Sequence, residues 1–366
     1  MAVDTIQGQA RDSALRMGRW AMGSSEAAAT TLGIAFALVM LVGAARAQGT
    51  PAGGPEVPIP ELRLWEENMK KFGRQHADER SKGIDESAVW YYDGERVFYQ
   101  VADCTSDPLW NTFAQNSEET YRAYVLQNNG GIPGWRIFPH GLLMDYKRTG
   151  DEDSKRAAIL LAKNARFADR GGGPGEGLSR ETAYCINAYL VAEALGEPRN
   201  PNLQKAVGYA LGHIDQWFVR NSSRNWAPFM FGLTAEALIA YYEQVEQDPR
   251  ILSAIKLGCD ECWKRAWREK EQAFFYREDN PARGTADLNL LVAPAYAWVY
   301  LQTGDTTYRD RGDKAFAGGV RGAWLGGGKQ FSQNYRWSFD YVKWRTEAER
   351  RRVAGEQPGG ESPASR

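Results

Sequence analysis

The sequence contains few cysteines, few histidines and almost no net charge. Its 366 residues include 4 cysteines and 3 histidines, and 45 basic side chains nearly balance 46 acidic ones. Because the histidines are scattered singly, no metal-ligand spacing occurs, and we predict neither a metal nor another cofactor. The net charge of −1 gives no electrostatic reason to expect nucleic acid or an anionic membrane surface as a partner.

The sequence also lacks a hydrophobic run of comfortable transmembrane length. The apolar core of residues 32–42 follows two arginines and ends shortly before the small-residue pattern Ala45-Arg46-Ala47. These features are typical of a signal peptide, so we predict that residues 1–47 direct the protein to the periplasm or out of the cell. The alternative is an uncleaved N-terminal anchor, which would be its only membrane attachment. Residues 48–60 are predicted to form a flexible leader.

The 4 cysteines could form two disulfides in an exported protein. Cys259 and Cys262 lie three residues apart in a predicted helix, a spacing that aims the two side chains poorly for an S–S bond. Cys104 and Cys185 can pair only if the fold brings them together. The disulfide state therefore stays open at this point.

A repeated turn pattern divides the rest of the chain into pairs of helices. Each copy combines an apolar helix end, a Gly-Asp-like turn and the start of a charged helix, and the copies recur at steps of about 44 to 57 residues. A glycine can end one helix in the left-handed conformation, and the acid after it can cap the next. The four clearest copies are "YKRTGDEDSKRAAILLAKNA", "VAEALGEPRNPNLQKAVGYA", "YYEQVEQDPRILSAIKLGCD" and "YLQTGDTTYRDRGDKAFAGG".

The helices on the two sides of each turn differ in composition. Those before a turn are apolar on most sides, which is typical of buried helices, whereas those after it carry charges on one face. Predicted inner helices span residues 95–103, 135–149, 179–195, 228–246, 287–303 and 335–346. Predicted outer helices span residues 61–75, 107–127, 151–168, 201–219, 249–269 and 305–319. The first inner segment, "VWYYDGERVFYQV", is equally compatible with a β-hairpin.

Six inner and six outer helices are enough to close a ring. This arrangement resembles the (α/α)6 toroid of the six-hairpin glycosidases and related polysaccharide lyases over about residues 60–346. We therefore predict an all-α fold with one toroid domain over residues 61–346. Because the resemblance rests on periodicity and Thr-Gly-Asp-like turns, it carries no catalytic residue over to this chain. Residues 347–366 lose the apolar periodicity and are predicted to be a disordered tail.

In such a ring all short turns lie at one end, so the long connections share the other end. These read "NNGGIPGWRIFPHG", "RGGGPGEGLSRET", "RNSSRNWAPFM", "YREDNPARGTADL" and "GGGKQFSQNYRWS". Their mixture of aromatic rings and polar groups suits a sugar, which has an apolar C–H face and a rim of hydroxyls. The predicted substrate-binding residues are Trp135, Arg136, Arg180, Tyr184, Arg224, Trp226, Lys329, Gln330, Asn334, Arg336 and Trp337.

The same residues also have a purely structural interpretation. Trp135 and Trp226 could wedge between neighbouring helical hairpins, and Arg180 could pair with Glu176 or Asp287. The final segment could equally be an amphipathic helix with an ordinary aromatic core face.

Our first functional hypothesis is a glycoside hydrolase, which needs two carboxyl groups. Glu176 lies in a glycine-rich loop and Asp287 opens an inner helix, and we prefer this pair. Glu181, in the first turn of its helix, is a further candidate or a helix cap.

Two alternatives lead to other kinds of activity. A polysaccharide lyase would use a base such as Tyr335, Tyr184 or His140, and cations such as Arg180, Arg336 or Lys329 to neutralise a uronate carboxylate. A non-catalytic glycan-binding envelope protein would bind without forming product. In each case the predicted partner is a carbohydrate.

Overall fold

The computed structural model describes residues 58–79, 82–223, 226–356 and 358. The predicted signal peptide, the leader up to residue 57, Arg224 and the end of the tail lie outside these residues. The described part contains twelve α-helices and three short strands, so the fold is all-α. The helices are α1 (Leu62–Gln75), α2 (Gly94–Thr105), α3 (Leu109–Gln127), α4 (Pro139–Thr149), α5 (Glu152–Asn164), α6 (Ser179–Ala194), α7 (Leu203–Phe218), α8 (Pro228–Gln244), α9 (Pro249–Ala266), α10 (Asn289–Thr303), α11 (Thr306–Gly322) and α12 (Gly328–Ala354).

The short turns have the local structure that their sequence predicts. Gly150 and Gly304 end α4 and α10 with φ of 76° and 70°, in the left-handed region that glycine adopts at little cost. The acids that follow cap the next helices: Asp151 accepts from the backbone N–H of Asp153, and Asp305 from that of Thr307.

The even-numbered helices pack on one another in a closed series. α2 packs on α4, α4 on α6, α6 on α8, α8 on α10, α10 on α12, and α12 on α2, so each has two even-numbered neighbours. In α10 every residue from Asn289 to Leu301 is buried. The odd-numbered helices bury one face only, as in α5, whose buried positions include Ala157, Ala158 and Leu161.

Two segments differ from the sequence-based prediction, and one open alternative is settled. The first predicted inner helix, residues 95–103, is confirmed as α2, so this segment is not a hairpin. Helix α12 begins at Gly328 and runs to Ala354, eight residues beyond the predicted end. The connection before α10 contains a β-hairpin that the sequence analysis missed. Its antiparallel strands are β2 (Ala273–Arg277) and β3 (Asn280–Gly284), and the two-residue β1 (Trp267–Arg268) pairs with β2.

The structure also gives the state of the cysteines and the lengths of the apolar helices, which concern possible disulfides and a possible membrane anchor. All four cysteines are free thiols; Cys104 is exposed and the other three are buried. Among the residues described here, no helix is both long and apolar enough to span a membrane.

Candidate functional site

Six charged or titratable side chains from four even-numbered helices meet inside the domain. They are Asp93, Arg96, His140, Glu236, Arg336 and Asp340, and we call them the ionic cluster. The Arg96 guanidinium donates to Glu236 and to Asp340, each at 2.9 Å, and Arg336 Nη2 lies 3.3 Å from Glu236 Oε2. The Arg336 side chain is fully buried, but those of His140 and Asp340 keep 21% and 20% of their surface exposed. The cluster therefore borders on solvent-accessible space.

The cluster shifts the pKa values of its acids in opposite directions. Burial opposes ionisation of Glu236, but Arg336 and Arg96 outweigh this effect and lower its pKa to about 2. Burial dominates at Asp93 and Asp340, whose pKa values lie above the ordinary aspartate value despite nearby arginines. Glu236 is thus an ionised counter-ion of the arginines, and Asp93 binds its proton more tightly than an ordinary aspartate.

His140 lies beside Asp93 and favours the neutral form. Its Nδ1 is 3.8 Å from Asp93 Oδ2, beyond hydrogen-bond distance. Burial, reinforced by the positive charge of Arg96, shifts the pKa of His140 well below its ordinary value of 6.5. The imidazole is therefore uncharged at neutral pH and able to accept a proton.

The backbone beside the cluster is strained and tightly packed. Tyr92 and Asp93 both adopt a φ of 65°, in the left-handed region that L-residues other than glycine rarely occupy. The backbone N–H of Gly141 donates to Asp93 at 3.0 Å, and a Cβ atom at position 141 would lie 2.6 Å from Asp93 Oδ1. Such strain persists where surrounding packing enforces it, often at functional sites.

Several polar atoms next to the cluster have no hydrogen-bond partner among the described residues. They are Tyr184 Oη, both amide atoms of Asn187, Nε and Nη1 of Arg336, and His140 Nδ1. The Tyr184 ring centroid lies 5.6 Å from the Arg336 guanidinium carbon and 5.7 Å from the ring centroid of Phe138. Asn187 follows Tyr184 by three residues and thus lies on the same face of α6. Because nearly all buried polar groups in native proteins are paired, this concentration points to a polar ligand.

A layer of tyrosines and cations lies against the cluster. Tyr92 packs edge-on against Trp337, with ring centroids 5.6 Å apart, and the Lys329 ammonium lies 4.6 Å from the Tyr91 ring centroid. Burial raises the pKa values of Tyr91 and Tyr92, and the positive charge of Arg180 opposes this shift at both phenols. The structure therefore groups five predicted substrate-binding residues: Arg180, Tyr184, Lys329, Arg336 and Trp337.

The predicted catalytic carboxylates do not belong to the ionic cluster. The loop that carries Glu176 lies on α7, since His213 and Gln216 bond to the carbonyls of Gly173 and Pro174. Asp287 accepts from the backbone N–H of Trp324, beyond the end of α11. The two acids thus lie beside different odd-numbered helices. Glu181 is buried and pairs with Arg180 at 2.9 Å, in place of the partners expected for Arg180.

Three aromatic residues of the prediction have structural partners. Trp226 is buried between the rings of Phe218 and Phe275. Tyr335 is buried and donates to the carbonyl of Trp65 at 2.9 Å. Trp135 Nε1 donates to Glu86, which also binds Arg136.

The remaining two predicted residues lie on the first turns of α12. Gln330 is half-buried, and its backbone carbonyl accepts from the side-chain amide of Asn334, which is fully buried.

The sequence analysis missed Asp93, Arg96, Asn187, Glu236 and Asp340. A usable signal was present in α8, where Glu236 is the single charge in the apolar stretch "PFMFGLTAEALIAYY". A charge that interrupts a helix apolar on all sides needs a buried partner.

No three His, Cys, Asp or Glu side chains of the described residues are grouped so that they could hold a metal ion. Comparison of the chain with protein-family models, with curated proteins and with solved structures found no match.

Proposed function

We propose that the twelve helices form an (α/α)6 toroid, with the even-numbered helices as its inner ring and the odd-numbered helices outside. The closed series of contacts among the even-numbered helices supports this arrangement. In this arrangement the ionic cluster lies on the ring axis, and the layer of Tyr91, Tyr92 and Lys329 lies at the end where the inner helices begin.

We propose further that the protein acts on an acidic polysaccharide, by β-elimination rather than by hydrolysis. The observation that carries the proposal is that Tyr184 lies against Arg336, with Asn187 one turn along α6 from Tyr184 and His140 in the same cluster as Arg336, and that these residues have buried polar atoms without a partner among the described residues. A carboxylate is the natural complement of a buried arginine with two free donor nitrogens. A periplasmic or extracellular location belongs to the same proposal, since the protein would meet an acidic polysaccharide outside the cytoplasm.

Each of these groups has a role in elimination that follows from its charge. The base must remove the proton on the carbon next to the uronate carboxylate, and neutral His140 can accept it. Arg336 and the amide of Asn187 would stabilise the negative charge that then develops on the carboxylate. The glycosidic C–O bond breaks as the C=C bond forms. Burial raises the pKa of Tyr184 well above that of a free tyrosine, so its phenol keeps a proton to give to the departing oxygen.

Hydrolysis finds less support in the same cluster. Asp93, with its raised pKa, would suit a general acid. The second carboxylate would be Glu236, but both of its oxygens face arginines, so it is held as their counter-ion and is not free to activate a water molecule. Glu176 and Asp287 stay a prediction as the hydrolytic pair, but the two carboxylates do not lie in one site.

The test is to incubate the mature domain with alginate, polygalacturonate, hyaluronan and neutral polysaccharides while following both reducing ends and the ultraviolet absorbance of unsaturated uronates. We expect both signals to rise together with an acidic polymer. Reducing ends without absorbance would establish hydrolysis and direct attention to Asp93. Binding without either signal would leave a glycan-binding protein.

The variant Tyr184→Phe tests the assigned roles. We expect kcat to fall about 10²- to 10⁴-fold, as for loss of a general acid, with no loss of stability because the hydroxyl has no partner in the described part of the chain. Tyr189→Phe is the matched control on α6, since the hydroxyl of Tyr189 donates to the carbonyl of Ala168; it should cost stability and leave kcat unchanged. Wild-type turnover in Tyr184→Phe would refute the assignment.

A further inference from the structure

The β-hairpin that precedes α10 carries an exposed aromatic ring beside the proposed site. Tyr276, on β2, is 48% exposed, whereas Ala273, Phe274 and Phe275 before it are buried. The Tyr276 ring is nearly parallel to that of Phe229, at an interplanar angle of 21° and a centroid distance of 5.4 Å. Phe229 thus supports one face of the Tyr276 ring and leaves the other face to solvent.

The hairpin is held firmly in place. The backbone N–H of Glu278 donates to the carbonyl of Trp226 at 3.1 Å, and Glu278 pairs with Arg265 at 2.5 Å. The Arg265 guanidinium also lies over the Trp226 ring, 5.0 Å from its centroid. A ring presented on such a support is pre-organised for binding, since little side-chain freedom is lost when a ligand stacks on it.

The ring lies at the same end of the domain as the proposed substrate-binding residues. Phe229 is the second residue of α8, which packs against α6, and Tyr184 lies in the second turn of α6. The Tyr276 phenol is near enough to Tyr92 to act on its ionisation. A sugar chain that extended from the ionic cluster towards the start of α8 would meet Tyr276, which stacks there on Phe229.

We propose that Tyr276 is a stacking platform for a second sugar ring of the same polymer, next to the ring bound at the ionic cluster. The inference rests on the proposed function and deepens it, because it makes the substrate a chain of several sugar units. The apolar C–H face of a pyranose would cover the open face of Tyr276. The exposed hydroxyl of Tyr276 is free to bond to the rim of that sugar.

The experiment is affinity electrophoresis in native gels that contain alginate, polygalacturonate or hyaluronan. We expect the wild type to be retarded in at least one gel, and Tyr276→Ala to raise the apparent Kd about tenfold. Tyr276→Phe, which keeps the ring, should bind within about twofold of the wild type. Tyr209→Ala, on the outer helix α7, is the matched control and should bind like the wild type. Hexasaccharides of the retarding polymer should show the Tyr276→Ala defect and disaccharides should not.

Binding and turnover separate this inference from the proposed function. If Tyr276→Ala loses binding while the wild type produces no unsaturated product, the platform stands and elimination is refuted. If the wild type is retarded and Tyr276→Ala is retarded equally, the platform is overturned whatever the reaction. The platform is also overturned if none of the three polymers retards the wild type.

Discussion

Helix α12 contains two buried arginines with very different surroundings. Arg345 uses all three guanidinium nitrogens: Nε and Nη2 bind Asp313 at 3.0 and 3.2 Å, and Nη1 binds Glu349 at 2.9 Å. Arg336 makes only long contacts to Glu236, at 3.3 and 3.4 Å, through Nη2. Its other two nitrogens have no partner among the described residues. The same residue type on one helix thus completes a network in one region and leaves donors free in the other.

The difference distinguishes structural from functional use of a buried charge. A buried ion pair contributes to stability only when its geometry is good and its remaining hydrogen-bonding groups are satisfied. Arg345 meets both conditions, and Tyr300 completes its network by donating to Glu349 at 2.9 Å. Arg336 meets neither, which is why we assign its free donors to a substrate.

The largest expected effect comes from removing the satisfied arginine. Arg345→Met leaves the partly buried Asp313 without its cation and removes a charge partner from the buried Glu349, and we expect the free energy of unfolding to fall by about 3–5 kcal/mol. Arg336→Met should cost only about 1 kcal/mol, because Glu236 keeps its 2.9 Å contact with Arg96. Urea unfolding curves measure both. Equal losses in the two variants would mean that Arg336 is a structural residue.

The helices could be predicted from the sequence because their signals are local, whereas a contact such as that of Arg336 with Glu236 is not. The helices and their alternation follow from local rules that repeat along the chain, such as Gly150 and Asp151 at a turn and the unbroken apolar run of α10. Each element carries its own signal, because a left-handed glycine, an N-cap and an apolar face depend only on nearby residues. All twelve predicted helices accordingly overlap observed ones.

The candidate site was harder to predict because it depends on contacts between residues that are far apart in the sequence. The polar aromatic segment at the start of α12 suited a sugar cleft, yet much of it serves packing: Tyr335 bonds to Trp65, and Ser332 donates to the carbonyl of Val89 at 2.6 Å. Composition cannot separate these cases, since a buried hydroxyl with a partner and one without it look the same in sequence. Arg336 was predicted to bind substrate, which stays a prediction, and its counter-ion Glu236 lies 100 positions earlier in the chain.

A third buried network sharpens the comparison through its pH dependence. The Ser154 hydroxyl lies 2.5 Å from Glu118 Oε1 and 2.7 Å from Asp145 Oδ2, and Arg122 binds Glu118 at 3.0 Å. Burial, with a contribution from Asp145, raises the pKa of Glu118 to about 8 although Ser154 and Arg122 oppose the shift. A folded-state pKa above the unfolded value means that the folded protein holds a proton which the unfolded chain releases.

The free energy of unfolding should therefore fall as pH rises from about 5 to 8, by on the order of 2–4 kcal/mol from this group. Glu118→Gln should flatten that part of the curve, and Glu152→Gln, at an exposed position of α5, is the control. The measurement is urea unfolding at several pH values. A curve for Glu118→Gln parallel to that of the wild type would show that Glu118 ionises freely in the fold.

The smallest effect is expected at Asn187, and it separates function from stability most directly. Neither amide atom of this buried side chain has a partner among the described residues. An unpaired buried amide costs about 1–3 kcal/mol relative to an apolar group of similar shape. Asn187→Leu should thus raise the free energy of unfolding by about 1 kcal/mol, once imperfect packing of the branched side chain is allowed for. Turnover of the acidic polymer should fall at the same time, because the leucine cannot bind the uronate carboxylate.

Asn187→Ala is the control for a packing clash, since it also removes the amide but adds no volume. A variant that is less stable and equally active would mean that the amide serves the fold, and Asn187 would leave the proposed site.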